Sequence, residues 1–391
     1  MEYTIKTINE LCTKITDGSH FSPEHDENGV YPMYSSKDML YDGFDDSDVK
    51  RISETVYKKL VKQDCRPLKN DILIIKDGNS YLKRIFKINT DIDAVILSSI
   101  AILRPNVKII NPDFFKYLLR SDSIRNAMAN YVSGAAIPRI VLKDFKKMKL
   151  EFISSMKAQQ KIASILSAYD NLIQNYKKQI ETLQTAASEL YKEWFVRFRF
   201  PGYQTTRFEN GLPEGWKVEK LGNISNISAG GDKPKIFSDV KNESCCIPIY
   251  SNGIENNGLY GYTDKAEILE ESVTISARGT VGFVCLREEP YVPIVRLLSV
   301  TPKKSSIKAK FLYYYLSNAH LEGNGTSQQQ ITIPMVFKRK IMLPSENLID
   351  SFEMKVSPMF AKIRSLQQQI TNLTQQRDLL LPRLMSGKLE V

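Results

Sequence analysis

Histidine and cysteine are scarce in this chain of 391 residues, with three histidines (His20, His25, His320) and five cysteines. Cys12, Cys65, Cys245, Cys246 and Cys285 form no C-x-x-C pair, and two of them are adjacent, so no closed zinc set is offered. No stretch approaches the ~18 uninterrupted apolar residues of a membrane span. The start, Met1-Glu-Tyr-Thr-Ile-Lys, lacks the basic segment and apolar run of a secretory signal. A reduced, cytoplasmic protein is the expectation.

What is present is an ordinary globular composition, 42% hydrophobic and 25% charged, at a length that suggests two to three domains. The net charge of +10 suits a polyanionic partner, although it is spread along the chain rather than gathered in a tail. Its densest stretch is 50–87, where eleven Lys and Arg face Glu54, Asp64, Asp71 and Asp77. A smaller cluster is Lys303, Lys304, Lys308 and Lys310. Charge runs are more often solvated faces than binding sites, so they decide nothing alone.

The strongest signal is a heptad seam that occurs twice, 190 residues apart. Steps of four and three give Ile162, Leu166, Tyr169, Ile173, Tyr176, Ile180, Leu183, Ala187, Leu190 and Trp194. The second copy is Phe352, Val356, Met359, Ile363, Leu366, Ile370, Leu373, Arg377, Leu380 and Leu384, apolar at all but Arg377. Such spacing buries one narrow stripe of a helix against another helix. Two copies of a duplication pair most simply about a two-fold axis, hence antiparallel, placing Ile162 by Leu384, Tyr176 by Ile370 and Trp194 by Phe352. Arg377 then falls beside Tyr169 and Asp170. An unpaired charge there is costly, so a pair with Asp170 or an outward path past Tyr169 is predicted. The seam is about 48 Å long at 1.5 Å per residue, enough to space two DNA-reading heads about one helical turn apart.

The repeat continues outside the helices. Ile8, Leu11, Ile15 and Gly18 recur as Val218, Leu221, Ile227 and Gly230, and Tyr31-Pro-Met-Tyr-Ser-Ser recurs as Ile247-Pro-Ile-Tyr-Ser-Asn. Ile72-Leu-Ile-Ile-Lys-Asp-Gly-Asn matches Val273-Thr-Ile-Ser-Ala-Arg-Gly-Thr, and Phe114-Phe-Lys-Tyr-Leu-Leu matches Phe311-Leu-Tyr-Tyr-Tyr-Leu. Gly134 precedes Ile140 as Gly325 precedes Ile331. Runs such as Asp71–Ile75 and Ser272–Ser276 are expected strands, and Phe114–Met128 and Phe311–Ser317 expected helices. The organisation predicted is a mixed α+β head at 1–155, a spacer helix at 156–200, a second head at 201–345 and a second spacer helix at 346–391. Ser154-Ser155 supplies an N-cap and Pro201-Gly202 a stop for the first helix. Pro358 must kink or restart the second helix, and Pro382 should end it.

Taken together, these residues resemble the specificity (S) subunits of type I restriction–modification systems, over essentially the whole chain. The resemblance is sharpest at Ala158-Gln-Gln-Lys-Ile-Ala-Ser-Ile-Leu-Ser-Ala-Tyr-Asp-Asn-Leu-Ile, Glu193-Trp-Phe-Val-Arg-Phe-Arg-Phe-Pro-Gly, Leu212-Pro-Glu-Gly-Trp-Lys and Leu384-Met-Ser-Gly-Lys. It implies two target-recognition domains, each reading half of a split asymmetric DNA site, joined by a long antiparallel two-helix coiled coil that docks two modification subunits. It implies a non-catalytic chain. S-adenosylmethionine and adenine methylation would belong to the modification subunits, and ATP, Mg and cleavage to restriction subunits.

Within that family, base contacts have no fixed positions, so candidates follow from chemistry. The strand-to-turn segments present Lys76, Asp77, Asn79 and Ser80 in one copy and Ser276, Arg278 and Thr280 in the other. Arg and Asn bond base edges, whereas Lys more often meets phosphate. Lys58, Lys59, Lys62, Lys83, Arg84, Lys303 and Lys304 are candidate phosphate contacts, and Gln328, Gln329 and Gln330 candidate adenine readers. Equally, Gly78 and Gly279 could mark turns whose neighbours are solvated. Trp194, Phe195, Phe198 and Phe200 are expected to dock on the neighbouring domain.

Two enzyme-like motifs are decoys. Asn111-Pro-Asp-Phe114 is one residue from an amino-methyltransferase signature, but no glycine-rich strand–turn–helix precedes it. Pro112-Asp113 with Asp144-Phe-Lys146 fits a metal-nuclease pattern, yet the second copy has no carboxylates there. The rival class is a coiled-coil scaffold whose heads bind proteins.

Overall fold

The computed structural model describes residues 2–78, 81–131, 139–323 and 330–389. It divides into two compact units, Met1–Tyr176 with Gln368–Val391, and Lys177–Gln367. Each unit therefore takes part of both long helices, Met156–Tyr191 and Glu346–Met385.

The units share one topology. In the first, Tyr3–Thr7 pairs antiparallel with Lys149–Ile153, and a four-stranded sheet runs Cys12–Asp17, Ile100–Pro105, Ile72–Ile75, Ile85–Lys87. A third sheet sets Tyr31–Tyr34 between antiparallel Lys50–Ile52 and parallel Val95–Ile96. The second unit repeats this with Lys217–Lys220 on Lys340–Leu343, and with the order Ser225–Ala229, Leu298–Pro302, Ser272–Ile275, Val284–Arg287. Its third sheet sets Ile247–Tyr250 between Leu259–Thr263 and parallel Val292–Pro293.

Strand Ile72–Ile75 is apolar throughout because both its faces are covered. Ile72 and Ile74 join the core under helix Pro112–Arg120, while Leu73 and Ile75 join a second cluster with Phe86 and Ile96. Each such side chain contributes about 1.5–3 kcal/mol on burial. In the second unit the matching strand alternates. Val273 and Ile275 enter the core, and on the other face the Thr274 hydroxyl accepts from Arg287 at 3.0 Å.

Gly18 and Gly230 are required at matched places. A Cβ on Gly18 would lie 2.1 Å from the Ile96 carbonyl oxygen, and one on Gly230 would lie 2.5 Å from the Pro293 carbonyl carbon.

Three sequence expectations need revision. The first half of the first repeat match is displaced by three residues, while Ile15 and Gly18 do match Ile227 and Gly230. Ile8 corresponds to Leu221, not Val218, since Ile8 N–H donates to Met148 and Leu221 N–H to Arg339, opening equivalent one-turn helices. The helix expected over Phe114–Met128 is two, Pro112–Arg120 and Asp122–Ala129, because Ser121 turns extended (ψ 141°) and its hydroxyl caps the Leu118 carbonyl at 2.6 Å. Pro382, expected to end the second long helix, lies inside it, and Pro358 does not restart it. The carbonyls they leave without donors, those of Met354 and Asp378, belong to exposed residues that water can satisfy.

Within each unit the helix segments run antiparallel. In the first, Ile162 and Leu166 share a core with Leu384 and Leu380, and further along Asp170 meets Arg377. In the second, Trp194 lies 6.1 Å from Phe352, and Gln184 shares a cleft with Ile363 and Gln367. Ile173, Val356, Ile363 and Leu366 are buried, whereas Ile180, Leu183, Leu190, Ile370 and Leu373 are half-buried. Ser155 caps the first helix, its carbonyl accepting from Gln159 at 2.9 Å. After Tyr191 one π-helical turn, Lys192–Val196, sends Trp194 and Phe195 into the second unit's core with Phe352 and Trp216.

Each head helix is tied to a long helix by a buried charge ringed by opposite charges. In the first unit the Asp170 carboxylate accepts from Tyr117 (2.6 Å), Arg377 (2.8 Å), Lys116 (3.1 Å) and Arg120 (3.5 Å). Burial pushes its pKa up, but Lys116, the Tyr117 hydroxyl, Arg377 and Arg120 outweigh that and hold it below the ordinary value. In the second unit the polarity is reversed: the Lys310 ammonium lies 2.9, 3.3 and 3.6 Å from Glu353, Glu271 and Glu288. Burial pulls Lys310 down, and the three carboxylates together raise it above its usual value.

Candidate nucleic-acid interface

At one end of each four-stranded sheet the chain leaves a buried strand and turns on a glycine in the left-handed region, Gly78 (φ 86°) or Gly279 (φ 69°). Both turns are held by the same backbone frame. The Ile140 N–H donates to the Lys76 carbonyl at 2.9 Å, and the Ile331 N–H to the Ala277 carbonyl at 3.1 Å. The frame brings segment 139–140 beside Lys76-Asp77, and segment 330–331 beside Ala277-Arg278.

The side chains on these frames differ. Lys76 is 2% exposed, its ammonium 3.0 Å from Asp77 and 3.4 Å from Asp17, so its charge is neutralised inside the unit. Asp77 bridges Arg139 across the backbone. In the second unit Arg278, half-buried, donates to the Gln330 amide oxygen at 3.1 Å. Ser276 is buried at 1% exposure, and Thr280 is half-buried beside the Gly279 turn. Asn79, Ser80, Gln328 and Gln329 lie outside the described residues.

The other candidates separate from these tips. Lys58, Lys59 and Lys62 stand on the outer face of helix Glu54–Lys62, whose inner face buries Tyr57 and Leu60, and Lys58 pairs with Glu54 at 2.7 Å. No helix occupies the matching interval 264–271 of the second unit. Arg84 is exposed, and Lys83 lines a groove of about 230 Å³ with Tyr41, Arg120, Arg377 and Asp378. Lys303 and Lys304 follow strand Leu298–Pro302, at the sheet end opposite Arg278, and Lys303 donates to the Gly222 carbonyl at 2.6 Å.

Two features of the second tip escaped the sequence reading. Asn252 joins its parts, accepting from the Ala277 N–H at 2.8 Å and donating to the Val295 carbonyl at 2.7 Å. Val295 (φ 53°) and Arg296 (φ 61°) form a tight turn closed by the Leu297 N–H on the Ile294 carbonyl at 3.0 Å. Two positive-φ residues in succession define a primed turn, normally built from Gly or Asn, and an L-residue there costs roughly 1–2 kcal/mol. The Tyr-Ser-Asn match to Tyr-Ser-Ser pointed at Asn252, but nothing in Val-Arg announces the turn.

The decoy motifs have structural roles. Asn111 caps helix Pro112–Arg120 by accepting from the Phe114 N–H at 3.0 Å. Asp113 pairs with Lys87 at 2.8 Å, and among the described residues no three His, Cys, Asp or Glu gather to hold a metal.

The chain thus carries a duplicated α+β head with paired helix segments, its tips framed alike and dressed differently. The profile of the type I restriction modification DNA specificity domain matches residues 1–185 and 213–371, and the chain belongs to that family. It is 27% identical to the type I restriction enzyme MjaIX specificity subunit of Methanocaldococcus jannaschii, over 71% of this chain and 69% of that one. It is 24% identical to the HindI specificity subunit of Haemophilus influenzae, over 82% and 87%. The crystal structure of a type I restriction–modification S subunit from M. genitalium has the same fold, with a TM-score of 0.63 at 19% identity over 98% and 96% of the two chains. No helix among the described residues is long and apolar enough to cross a membrane.

Proposed function

We propose that this chain is the sequence-specific DNA-recognition subunit of a type I restriction–modification complex, with each unit reading one half of a split, asymmetric site. The observation that supports this best is the pair of tips: one backbone frame, used twice, carries Asp77 and Arg139 in one copy and Arg278 and Gln330 in the other. Equal frames with unequal side chains suit two half-sites of different sequence. Arg278 faces base edges, and Lys59, Lys62 and Arg84 meet phosphates. Thr280 is left out because its hydroxyl is buried, and Lys304 because it lies at the far end of the sheet. Lys76 is left out, because its ammonium is already paired.

The paired helices dock two modification subunits, which bring S-adenosylmethionine and methylate adenine. Restriction subunits bring ATP and Mg for translocation and cleavage. This chain supplies position and performs no reaction itself.

Salt titration of the full chain on a duplex tests the reading. With six to ten phosphates contacted, affinity falls roughly 10³- to 10⁵-fold between 50 and 200 mM salt. A chain that captures proteins but no duplex, with affinity indifferent to salt, is a scaffold instead.

A further inference from the structure

The second unit builds a rigid, outward-pointing turn that its first copy lacks. Ile294 and Leu297 are buried at 1% exposure, while Val295 between them is 54% exposed and Arg296 is exposed. Four hydrogen bonds hold the strained pair. Val295 N–H donates to Gly231 and Arg296 N–H to Gly230, each at 2.9 Å; Gly230 N–H donates to Leu297 at 2.8 Å, and Asn252 donates to the Val295 carbonyl at 2.7 Å. Gly230 is itself packed against the backbone of Pro293 and Ile294, too closely to admit a Cβ.

The matching turn of the first unit, Leu97 to Ile100, is closed by the same bond at 3.0 Å but carries Ser98 and Ser99, neither in the left-handed region. Strain confined to one copy is not demanded by the fold. A backbone held in a sparsely populated conformation by over-determined surroundings is a mark of function. The Arg296 guanidinium has no hydrogen-bond or ionic partner among the described residues, unlike Arg278, which already engages Gln330.

We propose that the Val295-Arg296 turn is a specificity determinant of the second unit, with Arg296 reading a G·C pair in the major groove and Val295 packing on an adjacent thymine methyl. This rests on the DNA-recognition reading above and says which residues of the second unit discriminate. An arginine forks onto O6 and N7 of guanine, and small apolar groups suit the thymine methyl. The Asn252 bridge fixes this turn beside the Arg278 loop, so both arginines belong to one reading surface.

The test is selection from a randomised duplex library by the full chain, its Arg296→Ala and Arg296→Lys variants, and Val295→Asn. Arg296→Ala is expected to lose preference for one G·C pair in one half-site, to leave the other half unchanged, and to bind the selected duplex roughly 10- to 100-fold more weakly. Arg296→Lys keeps the charge and length and loses the same preference, because lysine lacks the fork. It covers the case in which the alanine variant folds poorly. Val295→Asn suits the left-handed backbone, so its unfolding midpoint rises by about 2–4 °C while preference at the neighbouring pair weakens. Variants that select the same sequences as the parent overturn the proposal, as does a uniform loss across all sequences, which marks a phosphate contact. A parent chain that selects no sequence overturns the DNA-recognition reading as well.

Discussion

The two units tie a head helix to a long helix in opposite ways. In the first, one carboxylate, Asp170, collects Lys116, Arg120 and Arg377; in the second, one ammonium, Lys310, collects Glu271, Glu288 and Glu353. The positions are not the same. The residue matching Asp170 along the helices is Phe360, and the one matching Arg377 is Ala187. Tyr313 and Tyr314 stand where the first unit has Lys116 and Tyr117, and both lie against Phe360 with ring centroids 6.3 and 6.2 Å apart. The same backbone thus tolerates an ionic or an aromatic filling of one junction. A buried ion pair contributes less to net stability than to a unique register, since alternative pairings strand its charges. In the first unit the lock also joins the two long-helix segments, Asp170 to Arg377, whereas in the second it joins head to helix only.

Removing the central charge should have the largest effect. Asp170→Ala leaves three buried or nearly buried cations around an empty place and costs about 3–5 kcal/mol. Lys310→Ala costs less, about 1–2 kcal/mol, because Glu271 is half exposed to water, Glu288 keeps Arg364 and Glu353 keeps the Ser357 hydroxyl. Hydrogen exchange at strand Ile72–Ile75 against Ser272–Ile275 reads each unit separately. Equal losses in both would mean that the two locks do not differ as their remaining partners imply.

At the glycine pair the two copies agree. Gly18→Ala and Gly230→Ala each force a methyl against backbone carbonyl groups. Each is expected to destabilise its own unit by about 1–3 kcal/mol, within error of the other. A harmless substitution at either position would show that its strand crossing is looser than the structure describes.

Much of this was legible in the sequence because it rests on period and pairing. The 4-3 seam and its duplication pointed to the antiparallel contact and set Arg377 beside Tyr169 and Asp170, and of the two paths predicted for it the pair with Asp170 is found, at 2.8 Å. Other features depend on contacts that a sequence does not order. Lys76 follows a strand and precedes a glycine, which suggests an exposed turn, yet Asp17 from another strand closes over it. Ser121 ends a helix with no glycine or proline to announce it. Val295 and Arg296 adopt a turn that their residue types disfavour, so propensity argues against what their surroundings enforce.

The account centres on two heads that read independently. Methylation-independent selection of a randomised duplex library by the unaltered chain tests it most directly. Two short blocks of base preference, different in sequence and separated by an indifferent gap of fixed length, are the predicted result. A single contiguous block, two identical blocks, or a gap that varies freely would contradict it.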